Sequence, residues 1–239
     1  FPYTTLFRSP SQLELELFNL NIKIPVINAG IFGYDITQEK ELFSKLYHIY
    51  QPQIVIRSLF KNDLFKANLT ALDDGRLKNI HSNSFPVANF FFLPNSFHQY
   101  ALQSNAYSWL NTKLFQIFHQ YPFLKTYVRN AFLNNDEFKE IESKSFDALK
   151  SAKEMITKQD KSMILVSIAY YRNEPEQWLS QIIFQEWSSQ LGLRFIDIDL
   201  SREAYSYQEL MTDEFGHINN LGNEIAAKVI ARSISQQLK

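Results

Sequence analysis

The sequence predicts an α/β fold: three layers, α/β/α, around a mostly parallel sheet. Three observations carry that expectation. Short β-rich runs alternate with stretches of helical periodicity. The runs are nearly continuous in apolar residues, as strands covered on both faces are. The apolar fraction, 45% of 239 residues, is enough to build a core of that size and excludes disorder as the default state.

The elements follow in order. Residues 11–20 read as an opening helix and residues 22–28 (IKIPVIN) as a strand, with Pro25 favouring an edge or irregular position because it has no N–H for a ladder. Residues 37–50 place Leu42, Phe43, Leu46, Ile49 and Tyr50 on one helical face, with Asp35 and Gln38 spaced as a capping box. A second strand, 53–60 (QIVIRSLF), follows Pro52; residues 162–170 (SMILVSIAY) and 194–199 (RFIDID) give two more, with a helix over 176–191 between them. Residues 221–238 form the closing helix, capped by Asn219 or Asn220. Residues 68–160 are too long for one crossover. They read as a polar stretch to about Ser84, an aromatic run (85–97) and three helical segments: one over 100–121, a pattern broken or restarted at Pro122, and a crossover helix over 136–157. The chain is therefore one domain, 10–239, with an insertion at about 68–135.

Composition narrows the classes of function. A net charge of -1 with no Lys/Arg-dominated stretch gives no basis for a phosphate-tracking surface, which argues against a nucleic-acid partner. With no Cys, thiolate nucleophiles, disulfides and Cys-ligated metals are excluded, while the compartment stays open. No apolar run reaches the roughly 18 residues of a membrane span. The first nine residues, FPYTTLFRS, resemble the translation of a short-read sequencing adapter and are set aside from the fold as an artefact. On that reading the natural N-terminus lies upstream.

Glycine and histidine point to the chemistry. Only 6 Gly occur, and four lie in two short stretches: Gly30 and Gly33 after the first expected strand, Gly216 and Gly222 before the last helix. Of the five His, His48 and His119 read as packed or surface residues on helices. His81 and His98 have no carboxylate at ligand spacing, so neither a metal nor another cofactor is expected. His217 stands in a Gly-flanked turn after Asp213 and Glu214, where an acid can orient one imidazole nitrogen and leave the other as a general base. A solvated turn before a helix reads equally well from spacing alone. Asn62 and Asp63 follow a strand where α/β proteins place site residues; there an Asn amide can donate to an oxyanion, or the pair can serve as a turn or helix cap.

The ordered series Val26-Ile27-Asn28-Ala29-Gly30-x-x-Gly33, then Pro52-x-x-Val55 with Asn62-Asp63, then Asp213-Glu214-x-x-His217-x-Asn219-x-x-Gly222 resembles the SGNH (GDSL-type) hydrolase family. Three of four motif blocks stand in the family's order, over roughly residues 10–239, with the insertion poorly matched. The resemblance implies that Gly33 supplies a backbone N–H and Asn62 its side-chain amide to an oxyanion hole, and that His217 is the general base. The family's acid stands three residues before that His, which is Glu214 here, with Asp213 one further away; either could orient the ring. Phe60-Lys61 departs from the small residues expected before the Asn. The Gly-Asp-Ser block that carries the nucleophile is absent. In the implied flavodoxin-like strand order, 2-1-3-4-5, the missing first strand belongs between residues 22–28 and 53–60, which predicts marginal stability or a rearranged strand.

The resemblance thus implies a serine ester hydrolase acting on acyl or O-acetyl esters of a small molecule, carbohydrate or lipid, with this fragment inactive for want of its serine. A non-catalytic binding or structural domain on the same fold is the alternative. A nucleotide-binding domain ranks below both, because Asn28-Ala29-Gly30-x-x-Gly33 lacks the first Gly of the dinucleotide fingerprint. Substrate, compartment and oligomeric state are not set by these residues.

Overall fold

A computed structural model describes residues 8–30, 36–60, 63, 70–73, 76–79, 91, 93–101, 103–118, 127, 129–131, 136–170, 175–212 and 217–238. Its centre is a sheet of three parallel strands in the order β1 (Ile54–Leu59), β4 (Ser162–Ala169), β5 (Arg194–Asp199). Val55 pairs with Met163 and Ile164 with Arg194, so the strands are in step. Strand β4 lies in the middle and is the most apolar, with Met163 through Val166 all buried.

Alternation along the strands divides the core. Val55, Leu59, Met163, Leu165 and Phe195 face α2 (Ile36–Tyr50), α5 (Asp136–Thr157) and α6 (Pro175–Leu191), in a cluster that holds Phe138, Leu149, Phe184 and Trp187. Ile54, Ile56, Ile164, Val166, Ile196 and Ile198 face α1 (Arg8–Asn19) and α8 (Asn220–Gln237), which pack on each other through Leu13, Leu17, Ala227 and Ile230. The architecture is α/β with helices on both faces of a parallel sheet, as the alternating pattern predicts.

Four helices end in the same way, and three of those ends launch a strand. Asn21, Gln51, Asp160 and Gly192 all have positive φ, at 62°, 44°, 55° and 61°. At three of them the next residue donates back across the last turn: Ile22 N–H to Leu17 O at 2.9 Å, Lys161 N–H to Ile156 O at 3.4 Å, and Leu193 N–H to Ser188 O at 2.8 Å. Within three residues of Gln51, Asp160 and Gly192 the chain enters β1, β4 and β5.

After Asn21 the outcome is different. The strand expected at 22–28 does not form. Ile22 and Val26 reach the core beneath α1, yet Val26 N–H is taken by Glu14 Oε2 at 3.3 Å, Pro25 has no N–H, and Ile24 and Ile27 are exposed. The segment is held by two side chains four residues apart, not by a ladder. Among the described residues no strand lies on the outer side of β1, so β1 is an edge.

The insertion also departs from expectation. The stretch read as merely polar contains the antiparallel pair β2 (Thr70–Asp73) and β3 (Arg76–Asn79), in register from Thr70↔Asn79 to Asp73↔Arg76. Asp74-Gly75 stands between them, a dipeptide suited to a two-residue hairpin connection, so the signal was present in the sequence. The single helix expected over 100–121 is two, α3 (Asn95–Ala101) and α4 (Asn105–Phe118). They are separated where Gln103 and Ser104 donate to carbonyls three residues back. The Ser-Asn pair at 104–105 favours a new helix start over continuation. The aromatic run falls largely outside the described residues. Helix α1 begins at Arg8, inside the segment set aside as adapter-like.

Candidate active site at the carboxyl edge of the sheet

Because the three strands are parallel, their carboxyl ends share one edge, and the residues that follow them gather there. Beyond β1, Asp63 is a buried lock. Its Oδ2 accepts Phe60 N–H at 2.7 Å, its own N–H donates to Phe60 O at 2.9 Å, and its carbonyl accepts the hydroxyl of fully buried Ser145 on α5 at 3.1 Å. Asp63 thus closes a turn, one of the two roles open to it from sequence. Asn62, its neighbour, lies outside the described residues, but the residues at 60 and 63 that bracket it are tied to each other and to α5.

Beyond β4, the ring of buried Tyr170 meets Tyr207 edge-on, with centroids 5.2 Å apart at 88°. Beyond β5, Asp199 Oδ1 accepts Ser201 N–H at 3.0 Å and Ser201 Oγ–H at 2.5 Å, while Oδ2 pairs with Arg202 at 2.9 Å. This starts the 3-10 turn Leu200–Arg202 that leads to the short helix α7 (Tyr207–Leu210).

His217 reaches the same edge by a different route. Arg194, the first residue of β5, donates to Ser233 O at 2.9 Å, near the end of α8. Helix α8 therefore runs antiparallel to β5, and its N-terminus, three residues after His217, points toward the carboxyl edge. The segment carrying His217 is clamped. Thr212 N–H donates to His217 O at 2.7 Å, Asn219 N–H donates to Leu210 O at 2.9 Å, and Met211 bridges Ile218. Asn219 then caps α8, its Oδ1 accepting Leu221 N–H at 3.0 Å and Gly222 N–H at 3.1 Å, while its Nδ2 donates to Glu209 O at 2.7 Å. Glu209 lies below the usual carboxylate range because Ser206 N–H and its hydroxyl both donate to it. His217 itself is exposed.

The strands β1 and β5 are two spacings apart, about 10 Å across the sheet; Asp63 follows the first closely, and His217 comes 18 residues after the end of the second, on the segment bonded to the Tyr207–Leu210 helix. Gly33, Asp213 and Glu214 lie outside the described residues. Asp213 and Glu214 belong to the four-residue connection whose two ends, Thr212 and His217, are hydrogen-bonded to each other. Just before the segment that contains Gly33, Gly30 N–H donates to Asn28 Oδ1 at 3.1 Å, an Asx turn that starts the loop.

One residue of this region escaped the sequence reading. Arg57, on the α2-facing side of β1, is 7% exposed and donates through Nη2 to Glu39 Oε2 at 2.7 Å and to Ile36 O at 3.1 Å. It fixes the first turn of α2, directly after the Gly33-containing segment. The available signal was a cation inside the largely apolar run QIVIRSLF, 18 residues after Glu39.

Among the described residues no three His, Cys, Asp or Glu side chains are placed to hold a metal ion, and no helix is long and apolar enough to cross a membrane. No protein-family model, curated protein or solved structure matches the chain.

Proposed function

We propose that this chain is the oxyanion-hole and general-base part of an SGNH-type serine ester hydrolase, on the flavodoxin-like variant of the α/β fold. The observation that carries the reading is the common carboxyl edge of β1 and β5, with Asp63 after one and His217 near the other. It is supported by the clamp on His217 and by the strand order β1-β4-β5, which agrees with the last three places of the order that the resemblance implies.

In the proposed reaction a serine hydroxyl attacks the acyl carbonyl and passes its proton to His217. The oxyanion is held by Gly33 N–H and the Asn62 amide. The imidazolium returns the proton to the leaving alkoxide, and water, deprotonated by His217, then cleaves the acyl-enzyme. Asp213 or Glu214 orients the ring. The Gly-Asp-Ser block is not among the 239 residues, so this chain alone is expected to be inactive. The alternative is a non-catalytic binding or structural domain on this fold.

The test uses the parent polypeptide with its upstream segment and p-nitrophenyl acetate as substrate. His217→Ala is expected to lower kcat by about 10⁶, and only one of Asp213→Asn and Glu214→Gln should cause a large loss, about 10⁴. Unchanged turnover in His217→Ala would remove the base, and a parent gene without Gly-Asp-Ser would leave the binding domain.

A further inference from the structure

We propose that the groove between β5 and α8 is a strand-addition site for an extended acidic peptide. The groove, about 390 Å³, has four successive residues of β5, 194–197, as one wall and Val229, Arg232, Ser233 and Gln236 of α8 as the other. The α8 residues are spaced i, i+3, i+4, i+7, a single helical face. Strand β5 pairs only with β4 among the described residues, so every second residue of β5 has its N–H and C=O on the unpaired side, the side of the strand left open for a further ladder. An edge strand beside a helix, with a channel between, is the geometry in which a peptide joins a sheet through main-chain bonds and is selected by alternate side chains.

Charge identifies the occupant. Side chains alternate along β5. Arg194 and Ile196 face α8, whereas Asp197 points to the other face, where its carboxylate accepts the Gln181 amide of α6. The α8 side of the groove therefore carries cations and no carboxylate of β5. The Arg194 guanidinium is aimed by two neutral acceptors, Ser233 O at 2.9 Å and Gln236 Oε1 at 3.3 Å, and forms no ion pair among the described residues. Arg232 is exposed and makes no hydrogen bond or ion pair among the described residues. A further observation is independent of these charges: Ser233 is 9% exposed, and its buried Oγ has no hydrogen-bond partner among the described residues. Two guanidinium groups along one side of this open groove suit carboxylates at alternate positions of an extended chain.

The experiment measures binding of the 239-residue chain to a fluorescein-labelled hexapeptide of alternating Val and Glu, by anisotropy at low salt. A Val/Lys hexapeptide and a Val/Glu hexapeptide N-methylated at alternate residues are the comparators. The acidic peptide is expected to bind saturably and at least about tenfold more tightly than the Lys peptide. N-methylation is expected to cost about tenfold, because it removes the ladder donors and keeps the charge. Arg232→Glu should reverse the order of the acidic and Lys peptides, and an unchanged thermal transition would show that this exposed substitution leaves the fold intact. Amide exchange at Phe195–Ile198 should slow when the acidic peptide binds. Equal affinity for the acidic and Lys peptides, or no effect of Arg232→Glu, would overturn the site. Full binding of the N-methylated peptide, or displacement by inorganic phosphate at concentrations equal to the peptide's, would overturn the strand mode in favour of simple anion attraction.

Discussion

A buried arginine on a strand is costly unless its charge is met; Arg57 Nη2 is met by Glu39 and the Ile36 carbonyl, while its buried Nε has no hydrogen-bond partner among the described residues. The Glu39 side chain keeps 30% exposure, so the pair is only partly desolvated. Arg57→Met is expected to lower stability by about 2 kcal/mol, less than for a fully buried pair. Arg57→Met with Glu39→Leu should recover most of that loss, since the carboxylate then has no cation to lose. Urea midpoints at constant m-value check both. The two glycines with a structural account make a second contrast. Gly192 has φ 61° and nothing within 4 Å of the place a methyl group would take, so Gly192→Ala should cost about 1 kcal/mol through backbone conformation alone. At Gly222 an added Cβ would meet Leu210 O at 2.8 Å and Ile218 Cβ at 3.2 Å, with no positive φ involved. Gly222→Ala should cost about 1–3 kcal/mol by pushing α8 away from the clamp on His217. Thermal unfolding separates the two substitutions further if Asn219→Ala is added: it should compound with Gly222→Ala less than additively, because both act on one clamp.

At the scale of elements, α5 and α6 are joined by a charged clasp. Arg129 pairs with Glu142 at 3.0 Å and with Glu186 at 2.5 Å. Burial holds Glu142 above the ordinary value of 4.5; Arg129 and a hydrogen bond from Trp187 pull it down, Glu186 pushes it up, and burial prevails. A raised carboxyl means that the folded chain holds this proton more tightly than the unfolded one. The contribution to stability is thus fully present below the unfolded pKa and is lost as pH rises from 4.5 through the folded value. Glu142→Gln should flatten that part of the profile, read as urea midpoints in steps of pH from 4.5 upward; an unchanged slope would exclude Glu142 as its source. The helix ends show how much of an element the sequence discloses. Gly192 announces its left-handed cap; Asn21, Gln51 and Asp160 adopt the same conformation without the residue that signals it. Strand positions were legible from apolar runs, and the split between α3 and α4 was not, because periodicity continues across Gln103-Ser104 while the local turn bonds decide.

For the whole molecule, the sheet has a stable centre and two open edges among the described residues. Strand β4 is buried along both faces and paired on both sides; β1 and β5 are each paired on one. Hydrogen exchange should therefore be slowest in Met163–Val166 and fast in 22–30, whose backbone has no ladder partner. Protection of 22–30 comparable to β4 would mean that this segment joins the sheet in solution. The exposed apolar residues of the same quarter, among them Leu15, Phe18, Ile24 and Ile27, predict weak self-association at high concentration, measurable by sedimentation.

The amino-acid order by itself determined the α/β class, the three strands, the amphipathic helices and a cap of the last helix at Asn219 or Asn220, because each depends on local periodicity or on a side chain within three residues; the structure chose Asn219. It also marked out His217 and Asn62 as residues following strands or turns. Tertiary structure alone decided the rest. Whether 22–28 becomes a strand depends on a partner across a ladder, and Glu14 with Pro25 leaves it none. Whether Arg57 is exposed or buried depends on α2 meeting β1 from 18 residues away. The placement of α8 is set by burial of Ala226, Ala227, Ile230, Ala231 and Ile234 against α1 and the sheet, with Arg194 reaching Ser233 across 39 residues. Such contacts leave no local signature, since hydrogen bonding and burial between distant segments are properties of the packed chain and not of any window within it.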